Sequence, residues 1–104
     1  MSGVNFPYRY QYENVAASQT NQVLGGTGAA GDYLHRLVCV VSTAATSQVQ
    51  IKDGSGTAFT VLPNSPGDGV GTYVLELNMA SSSGAWQVTT AAGVAVTAVG
   101  VFSA

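Results

Sequence analysis

Charge is what this chain has least of. Eight of its 104 side chains are formally charged, three basic and five acidic, for a net charge of −2. Ordinary soluble domains carry roughly a quarter charged residues. The three cations, Arg9, Arg36 and Lys52, are scattered. They do not form the clustered basic surface that neutralises a phosphate backbone, so nucleic-acid binding is disfavoured. A free surface this poor in charge has little repulsion to keep copies apart, which points to a surface that is partly covered in use.

Cysteine is almost absent as well. Cys39 is alone, which precludes an intrachain disulfide and a cysteine zinc cluster. Its setting, Leu37-Val38-Cys39-Val40-Val41, is that of a small buried hydrophobe rather than a reactive thiol. The single histidine, His35, has no patterned companion that would make it a general base or metal ligand. It reads as a polar strand position, and Asp32 before it as a turn residue. No stretch approaches the ~20 apolar residues of a membrane helix. Met1-Ser2-Gly3-Val4-Asn5 has neither the basic segment nor the apolar core of a secretory signal. We therefore expect a soluble chain made in a reducing cytoplasm, without a membrane partner and without a cofactor or metal.

Catalytic motifs are missing too. No serine sits in a Gly-x-Ser-x-Gly elbow. Asp53 and Asp68 each precede a glycine, which is turn chemistry, and the acidic density of a calcium loop is absent. Glu13 and Glu76 are the only glutamates, too little for a catalytic pair to be argued. Gly26-x-Gly28-x-x-Gly31 does have the spacing of a dinucleotide-binding turn, with Asp53 at about the distance of a ribose contact. The strand before it would be Ser18-Gln19-Thr20-Asn21-Gln22, too polar to be a buried parallel strand. Leu34, Leu37, Val38 and Val41 fit a helical spacing, but the valines around Cys39 favour strand, and no βα alternation follows. We expect a flexible glycine loop here and no enzyme; tight binding of NAD or NADP would overturn that reading.

What is present is a period of two. Tyr73, Leu75, Leu77 and Met79 alternate with Thr72, Val74, Glu76 and Asn78, the mark of a half-buried strand. Val94, Val96, Ala98, Gly100 and Phe102 alternate with Ala95, Thr97, Val99 and Val101, so that strand is either central or covered. Shorter strands read at 49–53, 57–62 and 85–90, and longer ones at about 15–24 and 33–42. Asp53-Gly54-Ser55-Gly56 is a tight hairpin signal. Pro63 to Gly69 is a longer loop in which two prolines block strand continuation. Trp86 alternates with Val88, which favours the core, although an exposed tryptophan could stack on a sugar ring. The pattern predicts an all-β fold: an antiparallel β-sandwich or jelly roll of about seven to eight strands over residues 15–104, with an extended N-terminal arm over residues 1–14.

That arm holds Phe6, Tyr8, Tyr10 and Tyr12, four of the nine aromatics in the chain. Arg9, Gln11 and Glu13 alternate with them, so an extended segment would have one aromatic and one polar edge. It could pack on its own domain or dock on a neighbouring subunit. Tyrosines give large contact area at low entropy cost and recur at interfaces, which favours docking. The candidate interface residues are Phe6, Tyr8, Arg9, Tyr10 and Tyr12.

The run Tyr33–Val40, then Val49-Gln50-Ile51-Lys52-Asp53-Gly54, then the alternating strand Val94–Phe102 resembles small β-sandwich virion proteins of tailed bacteriophages, of the capsid decoration or cement type. The resemblance implies a jelly-roll-like fold, multimerisation, and attachment to the major capsid protein on the outside of the virion after synthesis in the host bacterial cytoplasm. It carries over no catalytic residue, and the aromatic arm falls outside it. The expected function is thus a non-enzymatic structural one, with the major capsid protein and copies of itself as partners. The alternative is a carbohydrate- or receptor-recognising module of a phage tail fibre or adhesin.

Overall fold

A computed structural model of the chain describes residues 10–43, 48–63 and 70–103. Among them are eight strands and no helix: β1 (Gln11–Val15), β2 (Gln22–Val23), β3 (Tyr33–Val41), β4 (Val49–Asp53), β5 (Phe59–Leu62), β6 (Gly71–Ala80), β7 (Trp86–Thr89) and β8 (Val94–Val101). They form two four-stranded sheets, β1-β8-β3-β6 and β2-β7-β4-β5, with every pairing antiparallel. First pairs with last, second with seventh, third with sixth and fourth with fifth. The chain is in effect one long hairpin rolled up, closed by the β8–β3 and β7–β4 pairings. This is the order of a jelly roll, and the expected all-β antiparallel sandwich is what the chain forms.

The core explains the strand patterns. β8 lies between β1 and β3, so both its edges are paired; Val94, Val96 and Ala98 point into the core and are buried, while Ala95, Thr97, Val99 and Val101 lie on the outer face of the sheet. Leu34, Leu37, Cys39 and Val41 of β3 meet Val49 and Ile51 of β4 and Trp86 and Val88 of β7 in the same cluster. Each such buried aliphatic or aromatic side chain contributes about 1.5–3 kcal/mol relative to exposure. The Asp53-Gly54-Ser55-Gly56 turn joins β4 to β5 as expected, with Gly54 at φ 54° and Gly56 N donating to the Asp53 carbonyl at 2.8 Å.

Two expectations about strand limits are corrected. The stretch read as one strand over 15–24 is divided: β1 ends at Val15, and β2 is only Gln22–Val23. Between them Ser18 (φ 62°) and Asn21 (φ 50°) adopt left-handed backbone, which a pleated strand does not accommodate. Thr90 fixes this crossing, its Oγ1 donating to the Ala16 carbonyl at 2.6 Å and accepting from Gln19 N at 2.9 Å. At the other side of β1, Gln11–Asn14 pair with β8, so the last residues of the segment read as an arm are sheet.

The helix-like spacing of Leu34 and Leu37 also has a local cause. Between Leu34 and Arg36, β3 advances two residues while β8 advances one, from Gly100 to Val99. Over the same step β6 advances three, from Met79 to Glu76, with Asn78 at φ 53°. His35 is therefore the extra residue of a bulge against β8. The bulge shifts the phase of the alternation, so that Leu34 and Leu37 both face the core.

Candidate interaction surface

The positions of the ionisable side chains decide what chemistry is open to the chain. Asp53 grips the β6–β7 turn: Ser82 N donates to Oδ2 at 2.9 Å, Ser83 N to Oδ1 at 3.0 Å, and Ser82 Oγ to Oδ2 at 3.0 Å. The backbone hydrogen bond from Ser83, with those from Ser82 and the serine hydroxyls, holds this carboxyl below the usual aspartate value of 3.8. Asp32 is buried. Its carboxylate accepts from Ala29 N at 3.0 Å, Ser103 N at 3.0 Å and Ser103 Oγ at 2.7 Å, while its carbonyl accepts from Trp86 Nε1 at 3.0 Å. Glu13 accepts from Gln22 Nε2 at 3.0 Å and Gly25 N at 2.7 Å. Three of the five carboxylates are thus loop latches. Asp68 lies outside the described residues, and Glu76 is exposed on β6.

Other sequence candidates are placed with equal clarity. Cys39 is fully buried, and burial pushes its thiol up to about 11. Trp86 is in the core, its ring nitrogen satisfied by Asp32. The Gly26–Gly31 motif forms the β2–β3 connection, tied by Gly28 N to the Ser103 carbonyl at 3.2 Å and Gly31 N to the Ser81 carbonyl at 2.9 Å. It is a fastened loop and opens no helix. Among the described residues, no three His, Cys, Asp or Glu side chains gather where a metal ion could be held.

What remains is a face. Outward positions of the β1-β8-β3-β6 sheet carry Tyr12, Val99, Val101, Val38, Val40 and Val74, of which Tyr12, Val40, Val74 and Val101 are exposed and Val38 and Val99 half-buried. Tyr12 is 72% exposed and sits opposite Val99. The charges facing out from this sheet among the described residues are Arg36 and Glu76, which oppose each other across β3 and β6. Tyr10, 44% exposed, lays its ring on His35 with centroids 4.6 Å apart and lies 6.2 Å from Tyr33, which meets His35 edge-on. Tyr33 OH donates to Asn78 Oδ1 at 2.8 Å. His35 Nδ1 is buried beneath this cluster and makes no hydrogen bond.

Of the five residues expected at an interface, Tyr10 and Tyr12 therefore stand on this outer face; Phe6, Tyr8 and Arg9 lie outside the described residues. The expected alternation is present: Glu13 turns to β2, and Gln11 Oε1 accepts from Phe102 N at 2.9 Å. Sequence reasoning missed Tyr33, His35 and Asn78 as members of the cluster. Bulges re-aim side chains, and two of these three residues lie at the irregular step of β3 and β6.

An eight-stranded antiparallel sandwich with an aromatic and aliphatic outer face is the class of protein these observations define. The chain matches no family model, no curated protein and no solved structure.

Proposed function

We propose that the protein is a structural assembly module, not an enzyme, and that it works by laying the outer face of its β1-β8-β3-β6 sheet on a repeating protein lattice. The most specific form of this reading is a capsid decoration protein of a tailed bacteriophage, bound to the major capsid protein on the outside of the head. The observation that carries it is Tyr12, largely exposed among Val99, Val101 and Tyr10 on a face with few charges. Few ions need to be stripped of water when such a face is covered, and burial contributes up to about 25 cal/mol per Å² of apolar area before association costs. A lattice adds avidity to each weak contact.

The test is co-sedimentation of the protein with bare heads. Tyr12→Glu is expected to leave a folded protein, because the side chain touches solvent rather than core, and to reduce binding at least tenfold. Unchanged binding of Tyr12→Glu would overturn the reading. The alternative, a carbohydrate-recognising module, would have to use Tyr10 and Tyr12 as its stacking platform because Trp86 is buried. Binding on a glycan array that is lost in Tyr12→Ser would favour it.

A further inference from the structure

Among the described residues the four sheet edges are unequal. β2 has two residues, β5 four, β1 five and β6 ten, and each ends its sheet. An edge strand presents a row of unpaired N–H and C=O groups, and natural proteins guard such rows with lysine, proline, bulges or brevity. β6, Gly71-Thr72-Tyr73-Val74-Leu75-Glu76-Leu77-Asn78-Met79-Ala80, is long, has no lysine, arginine or proline, and carries one charge, Glu76. Its irregular step falls after Glu76, so Gly71–Glu76 pair with β3 without interruption. Its inward side chains Tyr73, Leu75, Leu77 and Met79 pack against the core yet remain only partly buried. Val74 on the outward side is 55% exposed.

We propose that β6 is a self-association edge: two copies pair their β6 strands antiparallel about a two-fold axis, fusing two β1-β8-β3-β6 sheets into one continuous sheet. This extends the assembly reading by naming a second copy as one partner. It needs no lattice, so its failure and the failure of lattice binding are separate results. Inward side chains stay opposite inward ones only if the axis passes through a residue, since the faces alternate with period two. An axis through Glu76 would oppose two carboxylates, which is destabilising. An axis through Val74, the middle of the regular stretch Thr72–Glu76, sets Val74 against the partner's Val74. It also sets Glu76 against the partner's Thr72, a carboxylate acceptor facing a hydroxyl donor. On the inward side Tyr73 meets the partner's Leu75, and the reverse, so each copy covers the half-buried row of the other. The second copy is the fitting occupant because this edge is complementary to itself.

The register makes the test specific. Val74 and the partner's Val74 would have Cα atoms about 4.5–5.5 Å apart, inside disulfide range, whereas Thr72 and the partner's Thr72 would be offset by about 13 Å along the strand. Full-length Val74→Cys, Thr72→Cys and Glu76→Cys are oxidised separately and as a Thr72→Cys plus Glu76→Cys mixture, with the buried Cys39 of the parent chain as the inert control. The expected result is a covalent dimer for Val74→Cys alone and for the mixture, and monomer for Thr72→Cys or Glu76→Cys alone. Sedimentation of the parent chain should show a dimer that Val74→Lys converts to a folded monomer, whose melting temperature matches that of the parent chain diluted until it too is monomeric. A parent chain that stays monomeric from low to high micromolar concentration, or three cysteine variants that cross-link alike, would overturn the proposal.

Discussion

The two sides of this sandwich are closed by different means. On one side β1 and β2 are sewn together by Glu13, which takes hydrogen bonds from Gln22 and Gly25, and Val15 and Leu24 behind it are fully buried. On the other side stand β5 and β6. Among the described residues, the partly buried hydrophobics that flank the core, Val61, Leu62, Tyr73, Leu75, Leu77 and Met79, all belong to these two strands. None of the fully buried core residues does. A chain with few charges places one of them where it joins β1 to β2, and among the described residues flanks the core at β5 and β6 with half-buried apolar side chains. The difference teaches that the few charges act locally: Glu13 shuts the β1–β2 seam, Asp32 and Asp53 latch loops, and the flank of the core at β5 and β6 is made of apolar side chains among the described residues.

The largest expected effect separates the two sides by core substitution. Leu24→Ala, behind the closed seam, should cost about 2–5 kcal/mol, as fully buried leucines do. Leu77→Ala, at the β6 flank, should cost about half as much in dilute protein, because part of its surface already meets water. Urea unfolding of both variants measures this, and equal losses would erase the distinction. Next comes the latch. Glu13→Ala removes two hydrogen bonds to a partly exposed carboxylate and should cost about 1 kcal/mol, with faster amide exchange confined to β2 and the glycine loop.

The smallest effect is one of pH. Unfolded Asp53 titrates near 3.8 and the folded group lower, so the folded state binds fewer protons between those values. The stability contributed by this latch is complete above about pH 4 and is lost as pH falls through the folded value. Asp53→Asn should therefore show a shallower acid limb in thermal unfolding than the parent chain. Identical limbs would mean that the Ser82 and Ser83 hydrogen bonds carry no linkage.

Much of the sandwich was legible in the sequence, and the reasons are local. Alternation in 72–79 and 94–102 reports the strand period and the face each strand turns to the core, and Asp53-Gly54 reports a turn that only certain backbones make. Trp86 and Cys39 could be assigned to the core from their neighbours. What escaped depends either on backbone that breaks a rule or on contacts far along the chain. Ser18 and Asn21 take left-handed φ without being glycine, so the division of β1 from β2 left no glycine to signal it. The bulge at His35 made a strand imitate helical spacing. The latches join Asp32 to Ser103 and Asp53 to Ser82, 71 and 29 residues apart, and no spacing rule reaches that far. The aromatic surface was only half legible: alternation marked Tyr10 and Tyr12, while Tyr33 and His35 joined them through tertiary packing.

Amide hydrogen exchange measured against protein concentration tests the contrast between the two sides most directly. Exchange in β1 and β2, closed by Glu13, should not change with concentration. Amides of Thr72–Glu76 that point away from β3 should slow as concentration rises and copies meet along β6. Fast exchange of those amides at every concentration, or slowing spread evenly over all four edges, would contradict the account.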